Sequence, residues 1–477
     1  MISKPSITNM PNSKSKAASS RSEIFSIWNE ELQGRIDAFF YRPYFKILTK
    51  AIESKKYKRL DELVEFSSEV WNQHDGFTDV FPYIEISAID TFVGEIKDVE
   101  FVPIAEAPSR AKMLVRNEDI IVSTTRPSRG AIAKIAMEQD GYIASTGFVV
   151  LRKIKDAEIL KDYLLIALRS SLSLQQMEQR STGGNYPAIT TEDLKEIKIV
   201  LPTRSEQQKI VTYFQKAYAE KKEKEEQIKS LLASIDGYVL GELGIELPPP
   251  AKITAKTFII WSDEISTRLD PLYLRNFVTL RNLKPKYDMV TLESLLSVPP
   301  QYGANESAIE GTPVQDIRYI RITDVDENGD LKEESWKTAA RIQDKYLLQE
   351  NDLLFARSGA TAGKSFIYKT SFGKSIFAGY MIRFKIDEKK ANADYIFSFT
   401  KTMWYDLWVK TIQRPSGQPN INSEEYKSLQ LPLPPLPVQN KIAKEVSKRR
   451  AEADALKRNA VESLHKAQEE VEQMILA

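Results

Sequence analysis

Two stretches of this 477-residue chain are recognisably the same sequence. WNEELQGRID, from Trp28 to Asp37, aligns with WSDEISTRLD, from Trp261 to Asp270, 233 positions later. The matches continue in unbroken order: Leu60 and Leu63 with Leu292 and Leu295, Tyr83-Ile84-Glu85-Ile86 with Tyr319-Ile320-Arg321-Ile322, Asp119-Ile120-Ile121 with Asp352-Leu353-Leu354 and Gly130 with Gly363. Further on, Gly147-Phe148 pairs with Gly379-Tyr380, Pro187 and Ile189 with Pro419 and Ile421, Leu201-Pro202 with Leu433-Pro434, and Gln207–Ile210 (QQKI) with Gln439–Ile442 (QNKI). A nearly constant offset across so many separated matches cannot come from local composition, so one half must fold as the other does. The period is too long for a solenoid. The duplication predicts two similar globular domains with two similar sites, without saying what they bind.

Each copy runs through mixed pattern and ends in a long charged segment. Short runs rich in β-branched and aromatic residues read as strands: Tyr83–Ile89, Asp119–Ser123, Phe148–Leu151, Tyr319–Thr323 and Leu353–Ala356. Asp162–Gln179 and Asp394–Thr411 carry apolar residues at helical spacing. The predicted fold class is therefore α/β (α+β), with two globular domains related by an internal pseudo-two-fold repeat and separated by two long antiparallel helices. The expected boundaries are a disordered tail at 1–22, a first domain at 23–203, a long helix at 204–246, a Pro-rich linker at 247–260, a second domain at 261–436 and a second long helix at 437–477. The linker holds Pro248-Pro249-Pro250, through which no helix can pass.

In the first long helix the apolar positions are Ile210, Phe214, Ala217, Ile228, Leu231, Leu232 and Ile235. In the second, Ile442, Val446, Ala453, Leu456, Ala460, Leu464, Ala467, Val471 and Met474 approach a heptad. Thr203 and Ser205, followed by Glu206 and Gln208, offer a capping box, and Pro437 suits a first turn. Each helix would extend roughly 50–60 Å at 1.5 Å per residue. The simplest burial for two half-apolar helices is against each other, holding the domains at a fixed separation. Two independent helices that bind other proteins are the alternative.

Composition removes most chemistry. Cysteine is absent and histidine occurs only as His74 and His465, which leaves no disulfide, Cys/His zinc site, thiol nucleophile or Ser-His pair to build. The longest apolar stretch, near Tyr163–Leu168, is far short of a membrane span, and Met1–Arg21 has no apolar core of a signal peptide. A soluble, cytoplasmic chain with no membrane partner is expected. Net charge is +1, so any polyanion site must be a local patch. SGATAGKS, Ser358–Ser365, fails as a phosphate loop because only three residues separate Gly359 from Gly363. Val298 stands where an amino-methyltransferase motif needs a polar residue, and Glu95-Ile96-Lys97 and Glu196-Ile197-Lys198 are triplets expected by chance in a charged chain.

What remains is a pair of domains with basic loops, amide side chains and many tyrosines and phenylalanines, which suits reading of duplex DNA twice over. Arg and Lys recognise guanine, Asn and Gln recognise adenine, and basic groups grip phosphate. The candidate readers are Arg126, Arg129, Lys134 and Asn185 in the first copy, and Gln301, Tyr302, Arg357, Lys364, Arg414, Gln418 and Asn420 in the second. Each alone also fits an ordinary solvated loop; as a set on matching loops they carry more weight.

From Trp28 to Leu476 the chain resembles the specificity subunit of type I restriction-modification systems. The resemblance rests on Arg35-Ile36-Asp37 and Arg268-Leu269-Asp270, on Pro299–Gly303 (PPQYG), and on the two exits LPTRSEQQKI (Leu201–Ile210) and LPLPPLPVQNKI (Leu431–Ile442). The first exit departs from the usual pattern at Thr203-Arg204 and the second at Val438. The resemblance implies two target recognition domains, each reading half of a split, asymmetric double-stranded DNA target, with paired helices that set the gap and dock two copies of an adenine-N6 methyltransferase subunit. It implies no cofactor in this chain, S-adenosylmethionine on the modification subunits, and a separate restriction/translocase subunit. Two other classes compete: a coiled-coil scaffold that joins proteins without DNA readout, and a single-chain nuclease or methyltransferase, which would itself bind Mg²⁺ or S-adenosylmethionine.

Overall fold

The computed structural model describes residues 27, 32, 35–73, 76–246, 261, 271–313, 315–332, 336–413 and 419–477. The expected tail at 1–22, the linker at 247–260, Trp28, His74, Arg414 and Gln418 lie outside the described residues. The chain forms two compact units, one of Met1–Lys224 with Arg458–Ala477 and one of Glu225–Lys457.

The first unit is built on a four-stranded antiparallel sheet ordered Val64–Phe66, Phe148–Ile154, Ile120–Ser123, Ile132–Lys134. Its central runs, IIVS and FVVL, are apolar without alternation because both faces of the sheet are covered. Ile120, Val122, Val149 and Leu151 face one core with Tyr163, Leu164 and Leu168, while Ile121, Ala133, Phe148 and Val150 face another with Ile84 and Val115. Val80–Ile84 pairs in parallel with Ile143–Ser145, and Tyr57–Arg59 pairs with Lys198–Val200.

The second unit repeats this plan. Its sheet is ordered Gln301–Tyr302, Met381–Phe384, Leu353–Ala356, Ser365–Ile367. Leu353, Phe355, Ile382 and Phe384 pack with Tyr395 and Tyr405 on one side, and Leu354, Phe366 and Met381 with Ile320 and Phe377 on the other. Arg318–Ile320 pairs in parallel with Ser375–Phe377, and Met289–Thr291 pairs antiparallel with Gln430–Pro432.

Each predicted helix after the sheet is two helices. Lys161–Arg169 and Ser171–Arg180 are separated by Ser170, at φ −66°, ψ 155°, whose hydroxyl donates to Ala167 O at 2.7 Å. Ala393–Phe399 and Met403–Ile412 are separated in the same way, with Thr402 at φ −103°, ψ 154° capping the second. Side-chain hydroxyls that bond nearby backbone compete with helix continuation, and apolar periodicity alone does not register the competition. The strand expected over Tyr319–Thr323 likewise stops at Ile320 and becomes a turn over Ile322–Asp324, because the Asp324 carboxylate accepts Arg321 N–H at 2.9 Å.

The long helices cover Arg204–Glu242 and Leu436–Leu476. Thr203 caps the first: its N–H donates to the Glu206 carboxylate at 2.8 Å and its hydroxyl accepts Glu206 N–H. The QQKI and QNKI signatures have a structural reason. Gln207 is buried, donating to Glu158 O and Pro202 O and accepting Leu160 N–H. Gln439 is buried too, donating to Pro434 O and accepting Asn392 N–H. Each glutamine fastens the start of its helix to its own domain. In the first unit the two helices run antiparallel, Tyr213 bonding Glu470 and Lys224 reaching Ser463. In the second, Arg449 donates to Ser234 O at 2.9 Å and Lys441 to Glu242 at 2.8 Å, again antiparallel.

One repeated position is occupied differently. Arg169 in the first unit donates to Ile132 O at 3.0 Å and Phe92 O at 2.8 Å, and burial pushes it down to about 10. Lys401, 232 positions later, donates to Ser365 O at 3.0 Å and lies over the Phe397 ring. Burial first, then the nearby Arg450 charge, pushes Lys401 down to about 7 against the pull of Asp330, Asp326 and Asp406. This value lies below the ordinary lysine value, so between about pH 7 and pH 10 the unfolded chain binds more protons than the folded one. The second unit should therefore gain stability as pH rises through that window and carry the full cost of the buried charge below it. Melting curves across the window check this, and Lys401→Met should flatten the slope; an unchanged slope in that variant would assign it to other groups.

Candidate nucleic-acid interface

The turn that follows the Ile120–Ser123 strand in the first unit, and Leu353–Ala356 in the second, carries the basic loops marked in the sequence. In the first unit, Thr124 N–H donates to Gly147 O at 2.8 Å, Arg126 N–H to Pro187 O at 2.7 Å, and Ile189 N–H to Thr124 O at 2.9 Å. In the second, Arg357 N–H donates to Tyr380 O at 3.0 Å, Gly359 N–H to Pro419 O at 2.9 Å, and Ile421 N–H to Arg357 O at 2.8 Å. The hydrogen bonds match the turns residue for residue, pairing Thr124 with Arg357 and Arg126 with Gly359. The glycine (φ 74°) and the arginine (φ 49°) both adopt the left-handed backbone. For a non-glycine residue this costs on the order of 1–3 kcal/mol and persists where surrounding structure imposes it, commonly at functional sites.

Both arginines rest on tyrosine rings. The Arg126 guanidinium lies 4.2 Å from the Tyr186 ring centre and donates to Asn185 O at 2.9 Å. Tyr186 is 71% exposed and sits in the loop closed by Thr182 and Ala188, whose backbones exchange two hydrogen bonds. The Arg357 guanidinium lies 5.0 Å from the Tyr302 ring centre. Tyr302 is held in turn by its hydroxyl, which accepts Ser423 N–H at 3.2 Å. Neither arginine meets a carboxylate within ion-pair distance among the described residues.

Arg129, on the short turn Pro127–Arg129, is exposed and close in sequence to Arg126. Asn185 is exposed beside Tyr186, and Asn420 is exposed on the segment that bridges Ser358. The structure thus gathers Arg126, Arg129 and Asn185 on neighbouring loops of the first unit, and Tyr302, Arg357 and Asn420 in the second. Tyr186 and Tyr380, the latter 66% exposed, were absent from the sequence-based candidates. The signal was present in Tyr186, an aromatic side chain after Gly-Gly-Asn and before Pro, a context that holds a large apolar ring in an exposed loop.

Three other candidates have internal partners. Lys134 pairs with Asp162 at 2.9 Å and Glu118 at 3.3 Å. Lys364 is nearly buried, pairing with Glu327 at 2.8 Å and donating to Val325 O at 3.2 Å. The Gln301 amide oxygen accepts from Arg383. The SGATAGKS loop also uses its amides internally: Gly363 N–H serves the Ala356 carbonyl and the Tyr426 hydroxyl, and Lys364 N–H serves Thr361 O. Among the described residues no cluster of His, Asp and Glu could hold a metal ion, and no helix is long and apolar enough to cross a membrane.

The chain has relatives among characterised proteins. It is 22% identical over 395 residues to the type I restriction enzyme StySPI specificity subunit of Salmonella potsdam, covering 81% of this chain and 79% of that one. It is 24% identical over 396 residues to the EcoKI specificity subunit of Escherichia coli K12, with coverage of 81% and 79%. A chain in a solved structure concerned with assembly and conformational transition of the type I R-M system aligns at 19% identity, covering 88% of this chain and 96% of that one, with a TM-score of 0.49. The family model described as the type I restriction modification DNA specificity domain matches residues 53–233 and 286–464, one stretch in each repeat. Two matched repeats, covering most of the sequence, establish that the chain belongs to the family of type I restriction-modification DNA specificity subunits.

Proposed function

We propose that each unit reads one half of a bipartite, asymmetric duplex target. As a type I specificity subunit the chain recognises DNA sequence and is not itself an enzyme; methyltransferase and restriction subunits are its partners. The observation that carries the reading is the shared turn, which offers Arg126 in one unit and Arg357 in the other at positions two residues apart. Equal turns with unlike side chains suit two unlike half-sites. Arg126, Arg129, Asn185, Tyr302, Arg357 and Asn420 are the proposed base and backbone contacts, with Arg414 and Gln418 kept as candidates from the sequence. Lys134, Lys364 and Gln301 act through the shape of the loops, since their polar groups already have partners.

The paired helices are proposed to set the gap between half-sites and to dock two copies of an adenine-N6 methyltransferase subunit, whose S-adenosylmethionine supplies the methyl group in the cytoplasm. This chain then contributes only position. A net charge of +1 provides no strong field, and affinity for duplex rests largely on phosphate neutralisation. The free subunit should accordingly bind DNA weakly and without sequence preference at physiological salt, gaining specificity with its partners. A footprint titration of the lone chain and of the assembled complex tests this. Tight, sequence-specific protection by the lone chain would refute it, and a complex whose binding ignores sequence would favour a scaffold that reads no DNA.

A further inference from the structure

Among side chains that could meet a base, two share one construction. Arg126 and Arg357 each hold the guanidinium carbon over a tyrosine ring, 4.2 Å from the centre of Tyr186 and 5.0 Å from that of Tyr302, on the same turn of the repeated fold, with no carboxylate partner among the described residues. Arg357 donates no side-chain hydrogen bond among the described residues, which leaves its N–H groups available. Arg126 uses one N–H on Asn185 O at 2.9 Å and keeps the rest. A guanidinium held over an aromatic ring loses less freedom when it binds than one that swings freely. Of the four bases, guanine alone presents two acceptors, O6 and N7, along its major-groove edge at the spacing of the guanidinium fork.

We propose that Arg126 and Arg357 are the guanine readers of the two half-sites, one in each, with Tyr186 and Tyr302 as the rings that hold them. The proposal rests on the bipartite reading given above and deepens it by naming the base. It also accounts for the exchange of Arg126 for Gly359 and of Thr124 for Arg357: one turn presents its fork from either of two positions, so the required guanine falls at a different place within each half-site.

The test is sequencing of methylated bases in DNA from cells that carry the chain with its partner subunits. With the unaltered chain, each half of the methylated motif should contain at least one obligatory G·C pair. Arg357→Ala should reduce discrimination at one such pair by about tenfold to a hundredfold, leaving the other half unchanged, and Arg126→Ala should do the same in the opposite half. Arg357→Lys keeps the charge without the fork and should also lose discrimination. Tyr302→Ala, which removes the ring beneath Arg357, should blur the same half of the motif. A half-site without an obligatory G·C pair would overturn the proposal, as would an Arg357→Ala complex that methylates every sequence variant more weakly by the same factor, the signature of a phosphate contact. A motif that proves continuous, or no motif at all, would remove the bipartite reading itself.

Discussion

Arg152→Ala should destabilise the first unit by about 3–5 kcal/mol, the range seen when one partner of a buried ion pair is removed. Arg152 donates from Nε to Asp119 at 3.1 Å, from Nη2 to Asp119 at 2.9 Å and to Leu114 O at 3.1 Å, and from Nη1 to Glu69. Asp119 is 1% exposed and also accepts Arg116 N–H at 2.8 Å. Without the guanidinium, a carboxylate at the start of the central strand Ile120–Ser123 is left inside the protein with one backbone donor from Arg116. Denaturant titration of the intact chain would measure the loss. Arg152→Met combined with Asp119→Leu should recover most of it, because the harm comes from a stranded charge and not from the absence of a pair. A double variant as unstable as the single one would show that packing dominates. The second unit carries the same device: Arg383 meets Asp352 at 3.3 Å with both side chains nearly buried, and burial raises the Asp352 carboxyl while Gln349 N–H and Arg383 draw it back. The leading Asp of Asp119-Ile120 and Asp352-Leu353, visible in the repeat, is thus a core anchor.

Gly303→Ala is the second change with a large expected effect. A Cβ at this position would fall 2.3 Å from Ala378 O and 2.6 Å from Phe377 O, both backbone atoms that cannot swing aside. The neighbouring hydrogen bonds, Ala304 N–H to Phe377 O at 2.8 Å and Gly379 N–H to Ala304 O at 2.7 Å, draw the two segments together and leave no space to relax. Overpacking of this kind costs about 3 kcal/mol, and here it would pry open the edge that follows Gln301–Tyr302. Tyr302 is the ring beneath Arg357, so the change should reach recognition as well as stability. Melting should show the second unit weakened, and the methylated motif should degrade in one half alone. Unchanged melting would mean that the two backbones separate freely at this point. The final glycine of PPQYG is explained by this close approach.

The repeat made the number of domains, their similarity and the order of their elements legible, because backbone hydrogen bonding and burial act on local pattern. Apolar runs such as Ile120–Ser123 and Leu353–Ala356 identified strands, and the fold showed that both of their faces are covered. The breaks at Ser170 and Thr402 were not legible, since one hydroxyl in a strongly amphipathic stretch decides them. The same holds for the candidate interface. Spacing marked matching turns in the two copies, but a cation reads the same in sequence if it is free or paired. The residues that occupy Lys134, Lys364 and Gln301 are Asp162, Glu327 and Arg383, each distant along the chain.

The sequence alone determined that this is one fold made twice, with no cysteine and only two histidines, and with basic turns at matching places. The tertiary structure decided which basic groups remain available, and that the two copies present arginine from positions two residues apart on one turn. Fold follows from patterns that recur every few residues. The availability of a charged side chain depends on which distant carboxylate or carbonyl the fold brings within about 3 Å of it.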